Sequence, residues 1–236
     1  MTIGFQYHAD ILGKFPNVVG GVILGRGLQN GPTPDALLAD YMAQQQETIA
    51  KVGGAPLSEV PSLAAWRSAF RAFGVEPTQY RCAAEALLRR LTKKGDIPSI
   101  NALVDIGNLV SIRYALPVAM VDTQALEGIV TVHFAEGSEW FLPLGEPTAE
   151  HPEAGEVVFS DPTQRVIARR WCWRQSDDSA ARETTTDLIV TVEAQHENGR
   201  ADVEAALRDL KYLLQHYVGG EYMNGILGRD RAGISE

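Results

Sequence analysis

The chain is poor in the residues that usually betray chemistry. Of its 236 residues only two are cysteines, Cys82 and Cys172. They lie far apart and match no metal or redox spacing, which excludes a thiolate metal centre and a dithiol motif. Two reduced thiols in a cytoplasmic protein are expected. The five histidines, His8, His133, His151, His196 and His216, share no ligand spacing, so no metal and no cofactor is expected. No apolar run reaches the roughly 18 residues of a membrane span. The stretch MTIGFQYHAD has no basic region leading into an apolar one, so no secretory signal is expected. Positive charge is scarce: 21 Lys and Arg against 30 Asp and Glu leave a net charge of −9. That disfavours a protein that coats nucleic acid through a broad basic face, and no DNA partner is expected. There is no internal repeat, no low-complexity tract, no Ser-His-Asp order and no carboxylate pair placed as acid and base.

What is present is an ordinary globular composition, 45% apolar and 22% charged, long enough for one large domain or two small ones. The few cations are clustered. Arg81, Arg89, Arg90, Lys93 and Lys94 form one group; Arg165, Arg169, Arg170 and Arg174 form another. Residues 15–24, FPNVVGGVIL, read as a strand or strand pair. Thr33 as N-cap with Pro34 at the first helical position predicts a helix over 34–52, ended by Gly53. Leu63, Trp66, Phe70 and Phe73 keep helical spacing up to Gly74. A third helix is predicted from Thr78, with Tyr80, Ala84, Leu87, Leu88 and Leu91 on its face and Gly95 at its end.

After Pro98 comes a fourth helix, within SINALVDIGNLVSIRYALPVAMVD. From 118 to 196 the segments VTVHFA, EWFLPL, EVVFS, RVIARRWCWR and DLIVTVEAQ have strand composition, separated by Gly, Pro and Asp. A last helix is expected over about 200–218, with Val203, Leu207, Leu210 and Leu214 on one side, and residues 219–236 are expected to be a flexible tail. Helices, then strands, then a helix: the order predicts an α+β fold rather than alternating βαβ units.

Three stretches carry polar groups where burial is expected. In the fourth helix Asn101, Asp105, Asn108 and Ser111 fall on one face of an otherwise apolar segment. Such a stripe must find partners, because unpaired buried polar groups are costly. It either caps neighbouring loops or presents donors and acceptors to a ligand. Gly107 beside it implies close approach by a ligand, by backbone or by tight packing. In Arg169-Arg170-Trp171-Cys172-Trp173-Arg174 the two tryptophans would share one face of a strand, with the arginines in water, stacked or on phosphate. Glu193 ends the apolar strand LIVTVEA, on the face of Ile189 and Thr191, and reaches either water or a pocket. A lone Gly25-x-Gly27 before Pro32 lacks the third glycine of a dinucleotide loop.

Several motifs together resemble stand-alone members of the B3/B4 domain family: LAAWRSAFRAFG, YRCAAEALLRRL, IPSINALVDIGNLVSIRYALPVAMVD, GEVVFSD and ARRWCWR, spread over about residues 60–195. That domain is the editing domain of the phenylalanyl-tRNA synthetase beta chain. The resemblance implies a single α+β domain whose helical N-terminal half packs on a mixed β-sheet around a pocket. Residues 59–218 would be the B3/B4-like part, with 1–58 joined to the same unit.

It also implies roles. Asn108 and Asp105 would be catalytic. Asn101, Ser111, Pro117, Trp173, Arg174 and Glu193 would bind substrate, Glu193 as the acidic residue that reads a tyrosine hydroxyl, and Asp122 would lie in the turn after Pro117. Arg81, Arg89, Arg90, Arg169 and Arg170 would contact tRNA. Ala119 stands where the synthetase motif has a histidine and Gly107 where it has a hydroxyl residue, so the usual general base is missing. The implied function is a trans-editing aminoacyl-tRNA deacylase with tRNA as partner. The alternative is a module that binds a free amino acid or small ligand without chemistry.

Overall fold

Glycine and proline set most element boundaries. The computed structural model describes residues 2–236. The N-terminal segment supplies β1 (Gly4–Tyr7), α1 (Ala9–Lys14), β2 (Val19–Arg26) and α2 (Asp35–Val52). Two helices follow, α3 (Pro61–Ala72), with proline in its first turn, and α4 (Ala83–Lys94), ended by Gly95 in the left-handed conformation. Next comes α5 (Ala102–Tyr114), then strands β3 (Val118–Asp122), β4 (Ile129–Phe134), β5 (Val157–Ser160), β6 (Val166–Arg169), β7 (Arg174–Gln175) and β8 (Leu188–Ala194). The chain finishes with α6 (Gly199–Tyr217), β9 (Glu221–Leu227) and β10 (Gly233–Ser235). Among the described residues no helix is long and apolar enough to cross a membrane.

The strands form two sheets. One is mixed and six-stranded, in the order β10-β1-β4-β5-β6-β7, with β1 and β4 parallel. The other is antiparallel and four-stranded, β3-β8-β2-β9. The α+β expectation holds. Helices α5 and α6 pack on one face of the smaller sheet. Gly21 allows this approach, since a Cβ there would stand 2.9 Å from Val203 of α6. Period-two alternation then turns Gly20, Thr191 and Glu193 to the opposite face, toward β1. Aromatic rings fill the centre: Trp171 meets Phe15 at 4.9 Å and Trp66 at 5.3 Å, both edge-on.

Four expectations are corrected. Pro34 occupies the N-cap position of α2 with extended backbone, and Thr33 instead donates to Asp105 Oδ2 at 2.6 Å. The third helix begins at Ala83, not Thr78, because the Glu76 carboxylate accepts from the backbone N–H and hydroxyl of Thr78 and closes a separate turn. EWFLPL makes only isolated bridges, including Phe141 with Glu150. The tail is not flexible: β9 pairs along β2 from Gly20↔Leu227 to Arg26↔Glu221, and β10 pairs with β1. An unpaired β2 edge would leave a row of backbone donors and acceptors unmet, and the tail meets them.

Candidate functional site

A sharp turn shapes the site. Between β6 and β7, Arg170 and Trp171 both adopt positive φ, 44° and 64°. Neither is glycine, so each is held in a costly conformation by its surroundings. The Trp171 N–H donates to Val157 O at 2.6 Å, and its indole is completely buried. The expected strand with both tryptophans on one face is therefore corrected. Two consecutive left-handed residues reverse the chain, sending Trp171 into the core and leaving Trp173 half-buried at the surface.

Beneath the turn lies a cavity of about 60 Å³, walled by Pro117, Ala119, Trp173 and Arg174, with Thr191 and Glu193 from β8. Glu193 Oε1 accepts from the Tyr7 hydroxyl at 2.5 Å and from Trp171 Nε1 at 3.0 Å. Burial pushes this carboxyl up to about 7, while the two donors pull it down. The same carboxylate, with burial, holds the Tyr7 phenol well above its ordinary range. Tyr7 fits because β2 of the facing sheet carries Gly20, where a Cβ would lie 2.3 Å from the phenol oxygen. Cys172 also lines the cavity. Its thiol is raised by burial and by the Cys82 thiol beside it, so it stays protonated and is no nucleophile.

A second, larger hollow of about 610 Å³ adjoins the first, and Val118, Arg174 and Gln175 line both. Its wall includes Gly107 and Asn108 from α5, Met120 and Arg182. A Cβ on Gly107 would lie 3.0 Å from Met120 Cγ, so this glycine serves tight packing of α5 on β3. Asn108 is half-buried, with the Tyr41 hydroxyl as neighbour. Arg182 pairs with Asp177 at 2.6 Å. Among the described residues no group of three or more His, Cys, Asp or Glu side chains is placed to hold a metal ion.

A profile of the B3/4 domain matches residues 65–217. The chain belongs to the B3/4 domain family. No curated protein sequence matches it. A crystal structure of an N-terminal fragment of the phenylalanyl-tRNA synthetase beta subunit from Pyrococcus horikoshii is similar, with a TM-score of 0.48 and 10% identity over 96% of this chain. The chain spans 55% of that fragment. Asn108, Pro117, Trp173, Arg174 and Glu193 all lie within the B3/4 stretch, whereas Tyr7 and Gly20 come from outside it.

Three residues of the polar stripe of this B3/4 chain are engaged within the fold and line neither hollow. Asn101 is the N-cap of α5, accepts from Val104 N at 3.1 Å and donates to Ala181 O at 3.0 Å. Asp105 is fully buried away from both hollows and accepts from Thr33, Ser99 and the Ile100 N–H. Ser111 donates to Leu116 O at 2.7 Å, at the helix end. Asp122 likewise closes the turn after β3 by accepting from Gln124 N. The stripe faces the loops at both ends of the helix because those loops bring the backbone groups that need partners.

Most of the arginines expected on tRNA are also engaged. Arg169 is buried, doubly bonded to Glu156 and paired with Glu150. Arg170 is almost buried, 3.8 Å from Glu156. Arg81 lies 3.7 Å from Glu85, and Arg90 pairs with Asp96. Arg89, on α4, is half-buried. Four of these five, Arg81, Arg90, Arg169 and Arg170, thus have an acidic partner within the chain. Sequence reasoning missed Tyr7, Gln175 and Arg182. For Tyr7 the Gly20-Gly21 pair was the available signal, since a strand glycine marks a close approach.

Proposed function

We propose that this B3/4 protein is a free-standing aminoacyl-tRNA deacylase that hydrolyses a mischarged amino acid from the 3′ end of tRNA. One observation carries the reading: the small cavity ending at Glu193 opens beside a hollow roughly ten times larger, with Arg174 and Gln175 on both. The amino-acid side chain enters the cavity, and the terminal nucleotide occupies the hollow. The ester is labile, so positioning a water and polarising the carbonyl suffice. Asn108 is the side chain in the hollow suited to hold that water. The water attacks the carbonyl carbon, the ester C–O bond breaks, and the ribose oxygen leaves with the proton.

The test is deacylation of a panel of mischarged tRNAs, Tyr-tRNA(Phe) included, by the purified chain and by Asn108→Leu. Hydrolysis of one species, lost in the variant, is the expected result. A second reading has a specific observation in its favour: Glu193 is the lone carboxylate on the two hollows, which hold no histidine. A module that binds an amino acid without chemistry needs neither. No hydrolysis across the panel, with a free amino acid raising the melting temperature, would establish that reading instead.

A further inference from the structure

Four planar groups outside the Glu193 chemistry come together at the cleft. The Arg170 guanidinium lies 3.9 Å from the centre of the Tyr80 ring and 4.6 Å from that of Trp173. The Arg174 guanidinium lies over Trp173 at 4.6 Å. Tyr80 meets Trp173 edge-on, with ring centres 5.0 Å apart. The inner arginine, Arg170, is paired with Glu156. The outer one, Arg174, is exposed and enters no ion pair among the described residues. Trp173 lines the cavity, and Arg174 lines both hollows. A guanidinium held over tryptophan is weakly hydrated and can stack on a further ring.

We propose that this ladder is a nucleobase-stacking site, in which the base of a ribonucleotide in the larger hollow lies against Arg174, and Trp173 backs that guanidinium from the cavity side. Three features favour a nucleotide. The hollow of about 610 Å³ has the size of a small-molecule site. A cation that enters no ion pair among the described residues stands at the stacking site, within reach of the phosphate on the nucleotide's ribose. The chain carries a net charge of −9, so affinity for RNA must come from stacking rather than from a basic face that tracks phosphates. The proposal rests on the deacylase reading only for the source of the nucleotide, an RNA 3′ end; base stacking itself does not need the ester.

The experiment is a titration of the full chain with the trinucleotide CCA and with AMP, read by isothermal titration calorimetry. N-acetyltryptophanamide serves as the competing aromatic ligand. CCA is expected to bind, and Trp173→Leu and Arg174→Ala are each expected to weaken it by about 10- to 100-fold. Trp173→Phe keeps a ring and should stay within about threefold of the parent. Should Trp173→Leu fail to fold, the exposed Arg174 and the Phe variant decide. Tighter binding of CCA than AMP assigns an RNA end; equal binding assigns a free nucleotide at the same base site. No binding of either by the parent chain, unchanged binding in Arg174→Ala, or occupancy by N-acetyltryptophanamide alone would overturn the proposal. Deacylation that survives Trp173→Leu would overturn the ladder and leave the hydrolase standing. CCA binding without deacylation would do the reverse.

Discussion

Glu193 is a carboxylate held almost wholly away from water. Its carboxyl is raised to about 7 by burial, above the unfolded value near 4.3. The native state therefore holds the proton more tightly than the unfolded chain, and stability present at low pH is lost as pH rises from about 4.3 through about 7, with no further loss above that. Glu193→Gln removes this loss. Urea denaturation should find the variant gaining on the parent by up to roughly 3 kcal/mol between pH 4.5 and pH 8. A difference independent of pH would contradict the assignment. Tyr7 donates to the ionised form, so Tyr7→Phe should move the Glu193 titration still higher, as read by carboxyl ¹³C NMR. Two neighbours on α5 should separate cleanly. Asp105→Ala leaves buried donors without an acceptor and should cost about 2–4 kcal/mol. Asn108→Leu takes the polar neighbour from the buried Tyr41 hydroxyl and should cost about 1 kcal/mol, less than Asp105→Ala, while abolishing ligand binding. Similar unfolding free energies for the two variants would refute this division. Sequence periodicity put both side chains on one face; it did not say that loops would claim Asp105 and leave Asn108 free.

At the scale of elements, hydrophobic period and helix stop signals located every long helix, because burial of one face imposes that period locally. They failed where a turn was built from ordinary residues. Glu76 closes a turn through Thr78, and Arg170-Trp171 turns without glycine. The Arg170-Trp171 turn is held by distant contacts, Val157 and the aromatic core, and leaves no compositional mark. The tail shows the same thing. Its strands are short and β9 is largely exposed, so pattern marks them poorly, yet Leu227 and Ile234 are buried against the rest. Deleting residues 219–236 should expose the β2 edge and lower the unfolding midpoint. Hydrogen exchange on the intact protein should find the β9 amides that bond to β2 protected. Rapid exchange along β9 would show that the pairing contributes little.

For the whole molecule, charge and cleft must be considered together. The chain is acidic overall, and the arginines nearest in sequence to the cleft are mostly spent on Glu85, Asp96, Glu150 and Glu156. A protein of this kind should bind an aminoacylated tRNA weakly and with little salt dependence. With Arg174 as the principal free cation in the hollow, the slope of log K against log salt should be near −1. Binding measured from 50 to 200 mM salt with a slope steeper than about −4 would require a basic surface elsewhere on the chain.

The sequence alone determined the α+β class, the existence of the long helices and the standing of Glu193 as a carboxylate in an apolar strand. These are properties of composition and of local period, which act within a few residues. Only the tertiary structure decided that Tyr7 would meet Glu193 across 186 positions, that Cys82 and Cys172 would be neighbours, and that Trp173 would face the cleft while Trp171 fills the core. Each of those depends on which strand lies beside which. Pairing between sheets is set by the summed burial of the whole chain rather than by any one segment.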